Sequence, residues 1–304
     1  MDNSSQQQFN VEDHDLGLAH DLERLKVLNR RRALGFFGAA GGAAFIAACG
    51  GESSTLPVST TPTPTPTPSS TSTPTPTPTP TSTSSASCTA YAQETNGPYP
   101  ADGTNQSRGS TSNVLPIAAF QRSDVRASVI GSSSVAPGVA MPMTLTLVDV
   151  NNSCTPLAGY AVYIWHCDAT GLYSLYDLPS ESYLRGIQVT DANGQVSFTS
   201  IVPGCYAGRY PHIHFEVFSS LANATTGRYA RLISQLALPA DVCATVYSDT
   251  ATYGSSLTRF RNTSIASDGI FGDNTADQKT AMTLAMTGSM SAGYTASATV
   301  GLTT

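Results

Sequence analysis

The chain has 304 residues, of which 12% are charged and 40% hydrophobic, and a formal net charge of -6. So few cations leave no basic footprint for nucleic acid. The length alone allows two domains, but the first 87 residues have compositions unsuited to a packed core, which leaves about 200 residues for one substantial interior.

Taken in order, residues 1–29 are polar and mixed in charge, and Arg30, Arg31 and Arg32 then precede an apolar, small-residue run from Ala33 to Ala48 that ends at Cys49. The run is too short for a comfortable membrane span, and a basic start followed by a short apolar stretch reads as an export signal over residues 1–48. The adjacent arginines resemble a twin-arginine signal, and Ile46 to Cys49 resembles a lipobox, in which Cys49 would carry the lipid. The alternative is a plain N-terminal anchor helix. Either way the expected location is extracytoplasmic, with membrane contact through the N-terminal anchor only. Residues 49–87 are almost wholly Ser, Thr and Pro, with Thr-Pro runs from Thr61 to Pro80. Proline removes donors and favours extended polyproline backbone, so this segment is expected to act as a semi-rigid tether.

Residues 88–304 read as many short strands separated by turns. Met143 to Val150 largely alternates, Ala161 to Trp165 is a second apolar run, and Asp191-Ala-Asn-Gly194 marks a tight turn entering a third strand at Val196 to Phe198. No long 3.6-residue period competes, which predicts an all-β antiparallel sandwich or barrel. Ala281 to Met290 fits a short helix or a strand equally well, and the Ala/Thr/Gly-rich tail from Ser291 carries no pattern. Besides Cys49, the cysteines are Cys88, Cys154, Cys167, Cys205 and Cys243. An exported setting permits up to two disulfides among them, whereas their long spacings argue against a thiolate metal site.

The densest chemistry lies between Pro203 and Phe215. His212 and His214 alternate with Ile213 and Phe215, and alternate strand residues share a face, so both imidazoles reach one point. Two motifs earlier in the chain add tyrosines in turns: Trp165-His-Cys-Asp-Ala-Thr-Gly-Leu-Tyr173-Ser and Pro203-Gly-Cys-Tyr206. With Glu94-Thr-Asn-Gly-Pro-Tyr99, Leu184 to Gly194, and Arg209-x-x-His212-Ile-His214, this ordered set resembles the intradiol ring-cleavage dioxygenases. The resemblance is close from about Cys88 to Phe215 and loose beyond.

It implies an immunoglobulin- or transthyretin-like β-sandwich holding one ferric ion, Fe(3+), on Tyr173, Tyr206, His212 and His214. It also implies cleavage of a small-molecule catechol by O2 to a cis,cis-muconate-type product. Tyr206 would leave the metal with a substrate proton, and Arg209 would stabilise charge developing on the ring. Gln235 matches a glutamine that lines the family's pocket. The chemistry supports the donor set independently, since anionic oxygen donors favour the ferric state and imidazoles complete the shell. His166 has the opposite strand parity to Trp165 and is expected to be structural, with Arg185 and Gln188 supporting the fold near the site. The Tyr206–His212 loop is shorter than in the cytoplasmic catechol and protocatechuate enzymes, and no helical region precedes the core, so their substrates do not transfer. Two other functions fit parts of the pattern. A ligand- or carbohydrate-binding lipoprotein would keep the sandwich but need not keep all four donors, and a copper or zinc protein would use the histidine pair but leave the tyrosines unexplained.

Overall fold

The computed structural model describes residues 89–105 and 112–304. The expected signal and tether, with Cys49 and Cys88, lie outside the described residues. The described strands are β1 (Ala140–Asp149), β2 (Thr155–Pro156), β3 (Ala161–Trp165), β4 (Arg185–Val189), β5 (Gln195–Ile201), β6 (His212–Phe218), β7 (Leu232–Ala237), β8 (Ala285–Ser289) and β9 (Gly293–Leu302).

Alternation in β1 buries Met141, Met143, Leu145 and Leu147 and leaves Pro142, Thr144 and Thr146 more exposed, as a strand covered on one face requires. Along one edge β1 pairs antiparallel with β5 and β2, and along the other it pairs parallel with β9, which in turn pairs antiparallel with β8. The second sheet has the order β4-β3-β6-β7 and is antiparallel throughout. The fold is thus the expected β-sandwich.

Leu145, Phe198, Ile164, Phe215, Val217 and Leu236 belong to one apolar core drawn from both sheets. The opposite face of the second sheet is also covered: Tyr163, Trp165 and Phe218 pack with Phe120, Tyr99, Tyr173 and Tyr176 from loops. Strand β6 is therefore buried at all seven positions. Its odd residues face the sheet–sheet core, and its even residues face the loop-covered side where the site forms.

Several local expectations change. The turn at Asp191 forms as expected, its carboxylate accepting from Asn193 N and Gln195 N at 2.9 and 2.8 Å. The strands it joins, β4 and β5, lie in different sheets, so it is a corner between layers. The 281–290 segment resolves into a helix end and strand β8. The patternless tail is β9, which pairs seven residues in parallel with β1, so the first sheet is not purely antiparallel. Between β7 and β8 the chain forms short helices α1 (Ala240–Val246), α2 (Thr250–Tyr253), α3 (Ser256–Phe260) and α4 (Ala276–Ala281). At two turns or fewer, none shows a readable helical period. Among the described residues no helix is long and apolar enough to cross a membrane. Cys167, Cys205 and Cys243 are free and buried, while Cys154 is disulfide-bonded.

Candidate metal centre

His212 and His214 stand side by side on β6 with their Nε2 atoms 3.0 Å apart. Each ring is held from behind. His212 Nδ1 lies 2.6 Å from the Tyr210 carbonyl, which fixes the N–H on that nitrogen and turns a lone pair at Nε2 toward the cluster. The His214 ring lies parallel to the Trp165 indole, with centroids 4.8 Å apart and planes 6° apart. Gly97 closes the third side: its φ is +72°, and a Cβ there would sit 3.1 Å from His214 Cε1. Glycine is needed at that point in the Asn96-Gly97-Pro98 turn for both conformation and clearance.

Turns supply the phenols. Tyr206 follows Gly204, where a Cβ would meet the Ala169 carbonyl oxygen at 2.3 Å, so the 203–206 turn lies directly on the 168–170 loop. Its hydroxyl is 3.1 Å from His212 Nε2. Tyr173 is placed by its own amide, which donates to Asp177 Oδ2 at 2.8 Å, and by Ser174, whose hydroxyl donates to the Tyr183 carbonyl at 2.6 Å. The fully buried Arg185 ties this loop to the 97–101 segment, donating to Ser174 O at 2.9 Å and Tyr99 O at 2.8 Å. The Tyr173 ring meets Tyr206 edge-on at 5.8 Å and His214 at 6.2 Å between centroids.

Electrostatics distinguish this cluster from a packed aromatic knot. The Tyr173 hydroxyl and His214 Nδ1 are buried without hydrogen-bond partners, a costly arrangement for neutral groups. Burial pushes the Tyr206 phenol up to about 12 and the Tyr173 phenol well above its ordinary value. Burial, with Arg209 adding to it, lowers His212 to about 3, and burial, followed by the neighbouring His212, also depresses His214. Both imidazoles are therefore neutral lone-pair donors, and the two phenols stay protonated until a cation offsets their charge. Two phenol oxygens and two imidazole nitrogens with an orphaned oxygen among them fit a hard trivalent cation such as Fe(3+). Among the described residues no group of three or more His, Cys, Asp or Glu side chains could hold a metal, so a metal here needs the tyrosines.

Arg209 borders the cluster. Its Nε and Nη2 donate to Asp268 at 2.9 and 3.3 Å, and Nη2 also donates to Gln235 Oε1 at 2.5 Å. Burial alone would raise the Asp268 carboxyl, but the bonds and charge of Arg209 hold it below the usual carboxylate range. Gln235 pairs with His214 across β6 and β7. It is fully buried and accepts from Arg209. The nitrogens of His166 are both satisfied, at 2.7 Å, by Cys167 O and Ser200 Oγ, so it offers no lone pair to the cluster. Gln188 stands opposite Val162 on β4.

A cavity of about 530 Å3 opens over the cluster, walled by Pro98, Tyr99, Tyr173, Tyr206, Arg209 and Arg259 among others. Asp268 and Arg259 escaped the sequence reading. They lie in helices and loops after β7, where no period or motif marks them.

Residues 115–252 match the family profile described as Dioxygenase. The chlorocatechol 1,2-dioxygenase of Rhodococcus opacus is 29% identical over 140 residues, covering 37% of this chain and 51% of that protein. The chain thus spans about half the length of this curated relative. Among solved structures, an intradiol ring-cleavage dioxygenase from Tetranychus urticae is similar over 71% of this chain and 95% of its own, with 24% identity and a TM-score of 0.53. That likeness shows the shared fold.

Proposed function

Taking residues 115–252 as a segment of the intradiol ring-cleavage dioxygenase family, we propose that the chain cleaves a catechol with O2 to a cis,cis-muconate-type product. Tyr173, Tyr206, His212 and His214 would hold Fe(3+). The observation that carries this reading is the convergence of two phenols and two neutral imidazoles beside an open cavity that Tyr173 and Tyr206 line, with Tyr206 Oη and both Nε2 atoms linked by contacts of 3.0–3.1 Å. When bound, the ferric ion supplies the charge that ionises phenols and catechol and the electron-accepting centre through which the ring meets O2.

The chain's own groups do the rest. Tyr206 is both in the cluster and on the cavity wall, so its oxygen is placed to accept a proton from a substrate hydroxyl. In a site that burial biases against charge, its phenolate is a strong base. Arg209 reaches the same cavity with its guanidinium fixed by Asp268 and Gln235, a preorganised positive group for charge developing on the ring oxygens. Pro98 and Tyr99 wall the opening and limit water around the ring. Both oxygen atoms of O2 end in the two product carboxylates, so no further oxidant is needed.

The test is the visible spectrum of the purified, iron-loaded chain before and after adding catechol under air. A tyrosinate-to-iron charge-transfer band that shifts with catechol, followed by O2 uptake and ultraviolet muconate absorbance, is expected. Tyr173→Phe and Tyr206→Phe should each weaken or shift the band. A protein that stays colourless after iron reconstitution would sink the proposal. We further place the domain outside the cytoplasm, lipid-anchored at Cys49. This is supported by the Arg30–Arg32 and Ala48-Cys49 patterns and the Ser/Thr/Pro tether. Loss of membrane fractionation in Cys49→Ala is expected, and unchanged fractionation would refute the anchor.

A further inference from the structure

The face of β6 that carries His212 and His214 continues to Glu216, a residue the metal centre does not use. Glu216 is fully buried, and among the described residues neither of its carboxylate oxygens has a hydrogen-bond partner. A second buried carboxylate faces it. Asp102 is also fully buried, and Gly227 shows how close the two acids lie. A Cβ at Gly227 would sit 1.8 Å from Asp102 Oδ2 and 3.1 Å from Glu216 Oε1, so both oxygens border one small space that a side chain at 227 would fill.

Asp102 is held in place by its own loop. Its Oδ1 accepts from Thr104 N at 2.8 Å and Thr104 Oγ1 at 2.7 Å, and its Oδ2 accepts from Asn96 Nδ2 at 3.2 Å. Asn96 Nδ2 also donates to Thr104 Oγ1 at 2.8 Å, and the Gly227 amide donates to the Asp102 carbonyl at 2.9 Å. Glu216 has no such support. Burial, with the charge of Asp102 adding to it, pushes its carboxyl well above the ordinary range. Arg185 meets Tyr163, which stands opposite Glu216 in the β3–β6 register, but its other N–H groups go to Ser174 and to the Tyr99 and Pro100 carbonyls. Two carboxylates in a dry space are costly unless a cation or a proton lies between them. A shared proton would satisfy one oxygen of Glu216 and leave the other orphaned, whereas a cation engages both. The oxygens present suit a hard cation. Glu216 offers two and Asp102 one, Thr104 Oγ1 adds a lone pair, and turning the Asn96 amide over would bring its oxygen to where Nδ2 stands. Calcium takes about 6–8 such ligands at about 2.3–2.6 Å in adaptable geometry. Asn96 and Thr104 are only half-buried, so water can complete the shell from their side.

We propose that Asp102 and Glu216, with Asn96 and Thr104, bind a divalent cation of the calcium type that pins the 96–104 segment to β6. That segment carries Gly97, which packs on His214, and Tyr99 of the cavity wall. The cation thereby braces the cover of the metal centre from a point two residues along the same strand, without touching substrate. The site stands apart from the ring-cleavage reading and does not depend on it.

The test titrates calcium chloride into the full chain as purified, after dialysis against a calcium chelator, and reads calorimetric binding and melting temperature. Iron is assayed in the same samples, so that loss of iron and loss of calcium binding are read separately. The wild type should bind one calcium ion per chain with a Kd of about 1 mM or tighter, and its melting temperature should rise with calcium concentration. Magnesium should bind more weakly, because it gives up water reluctantly and demands an octahedral shell. Glu216→Gln keeps the shape but removes a charge and one oxygen, and should weaken calcium binding by about 100-fold or more. Asn96→Ala removes a neutral, half-buried oxygen and should weaken it about tenfold. If Glu216→Gln fails to fold, Asn96→Ala carries the comparison. Absence of one-to-one calcium binding by the wild type would mean that the two carboxyls share a proton, and overturns the site. Calcium affinity unchanged in whichever of the variants fold would place the ion elsewhere, and overturns it equally.

Discussion

Replacing Asp268 by asparagine tests the electrostatic frame of the site most directly. The side chain is 2% exposed, so its interactions are made out of water. Oδ2 accepts from Arg209 Nε at 2.9 Å and Tyr210 N at 2.6 Å, while Oδ1 accepts from Arg209 Nη2 at 3.3 Å, Ile270 N at 2.9 Å and Phe271 N at 3.1 Å. An asparagine amide offers one oxygen and one NH2. Whichever way it turns, at least two N–H donors face another donor. An unsatisfied buried donor costs about 1–3 kcal/mol, and breaking a buried ion pair about 3–5 kcal/mol. Arg209 keeps 19% of its side chain exposed, which favours the lower end, so Asp268→Asn should lose about 3 kcal/mol in urea unfolding at neutral pH with an unchanged slope. The pH dependence has a definite sign. Arg209 holds the folded-state carboxyl below its ordinary value. The pair's contribution is therefore fully present above the unfolded value of about 3.9 and is lost as pH falls through the folded value. The stability gap between wild type and variant should be constant from about pH 5 to 8 and close on acidification below about pH 4. A gap under about 1 kcal/mol at neutral pH, or one that persists undiminished into strong acid, would refute the reasoning.

Gly97→Ala puts a methyl against His214 at a positive φ. It should lose about 1–2 kcal/mol of stability and retain less iron after dialysis, and full retention with an unchanged melt would count against the close-approach argument. Leu145→Ala, in the core between the sheets, should cost about 3 kcal/mol by urea titration yet keep the visible band, because the site lies on the far face of the second sheet. A lost band would mean that the core and the site are not independent. Stripping iron with a chelator should bleach the protein and lower its melting temperature, reversibly. At a free metal concentration of 100 times Kd the difference is about 2.7 kcal/mol, and identical melts for stripped and loaded protein would argue against these ligands.

How much of this was legible depends on the kind of signal each residue carries. His212 and His214 were readable because strand parity alone puts them on one face. Tyr173 and Tyr206 sit in turns, where no periodicity speaks for them, and were found only through the order of the surrounding motifs. Asp268 and Arg259 reach the site from short helices and loops after β7, and only three-dimensional packing reveals their roles. Strand β9 was missed for a different reason. It runs between β1 and β8 and is built mostly of Ala, Thr, Gly and Ser, with Tyr294, Val300 and Leu302 as its larger buried side chains. Strand recognition relies on β-branched and aromatic alternation, which is diluted here. The short α1–α4 helices were invisible because none completes enough turns to show a face.

The position of β9 also has a temporal side. It is the inner neighbour of β1, yet Thr144 pairs with Ser297, a separation of about 150 residues, whereas Trp165 and His214 pair across about 50. Loop-closure entropy rises with the logarithm of length, so joining β9 to β1 costs about 1 kcal/mol more than joining β3 to β6. On a growing chain, the sheet that carries both histidines can pair while β9 has yet to be synthesised. During that interval β1 presents an open edge. The histidine-bearing sheet can thus be complete while the sheet that supports it from behind still waits for β8 and β9.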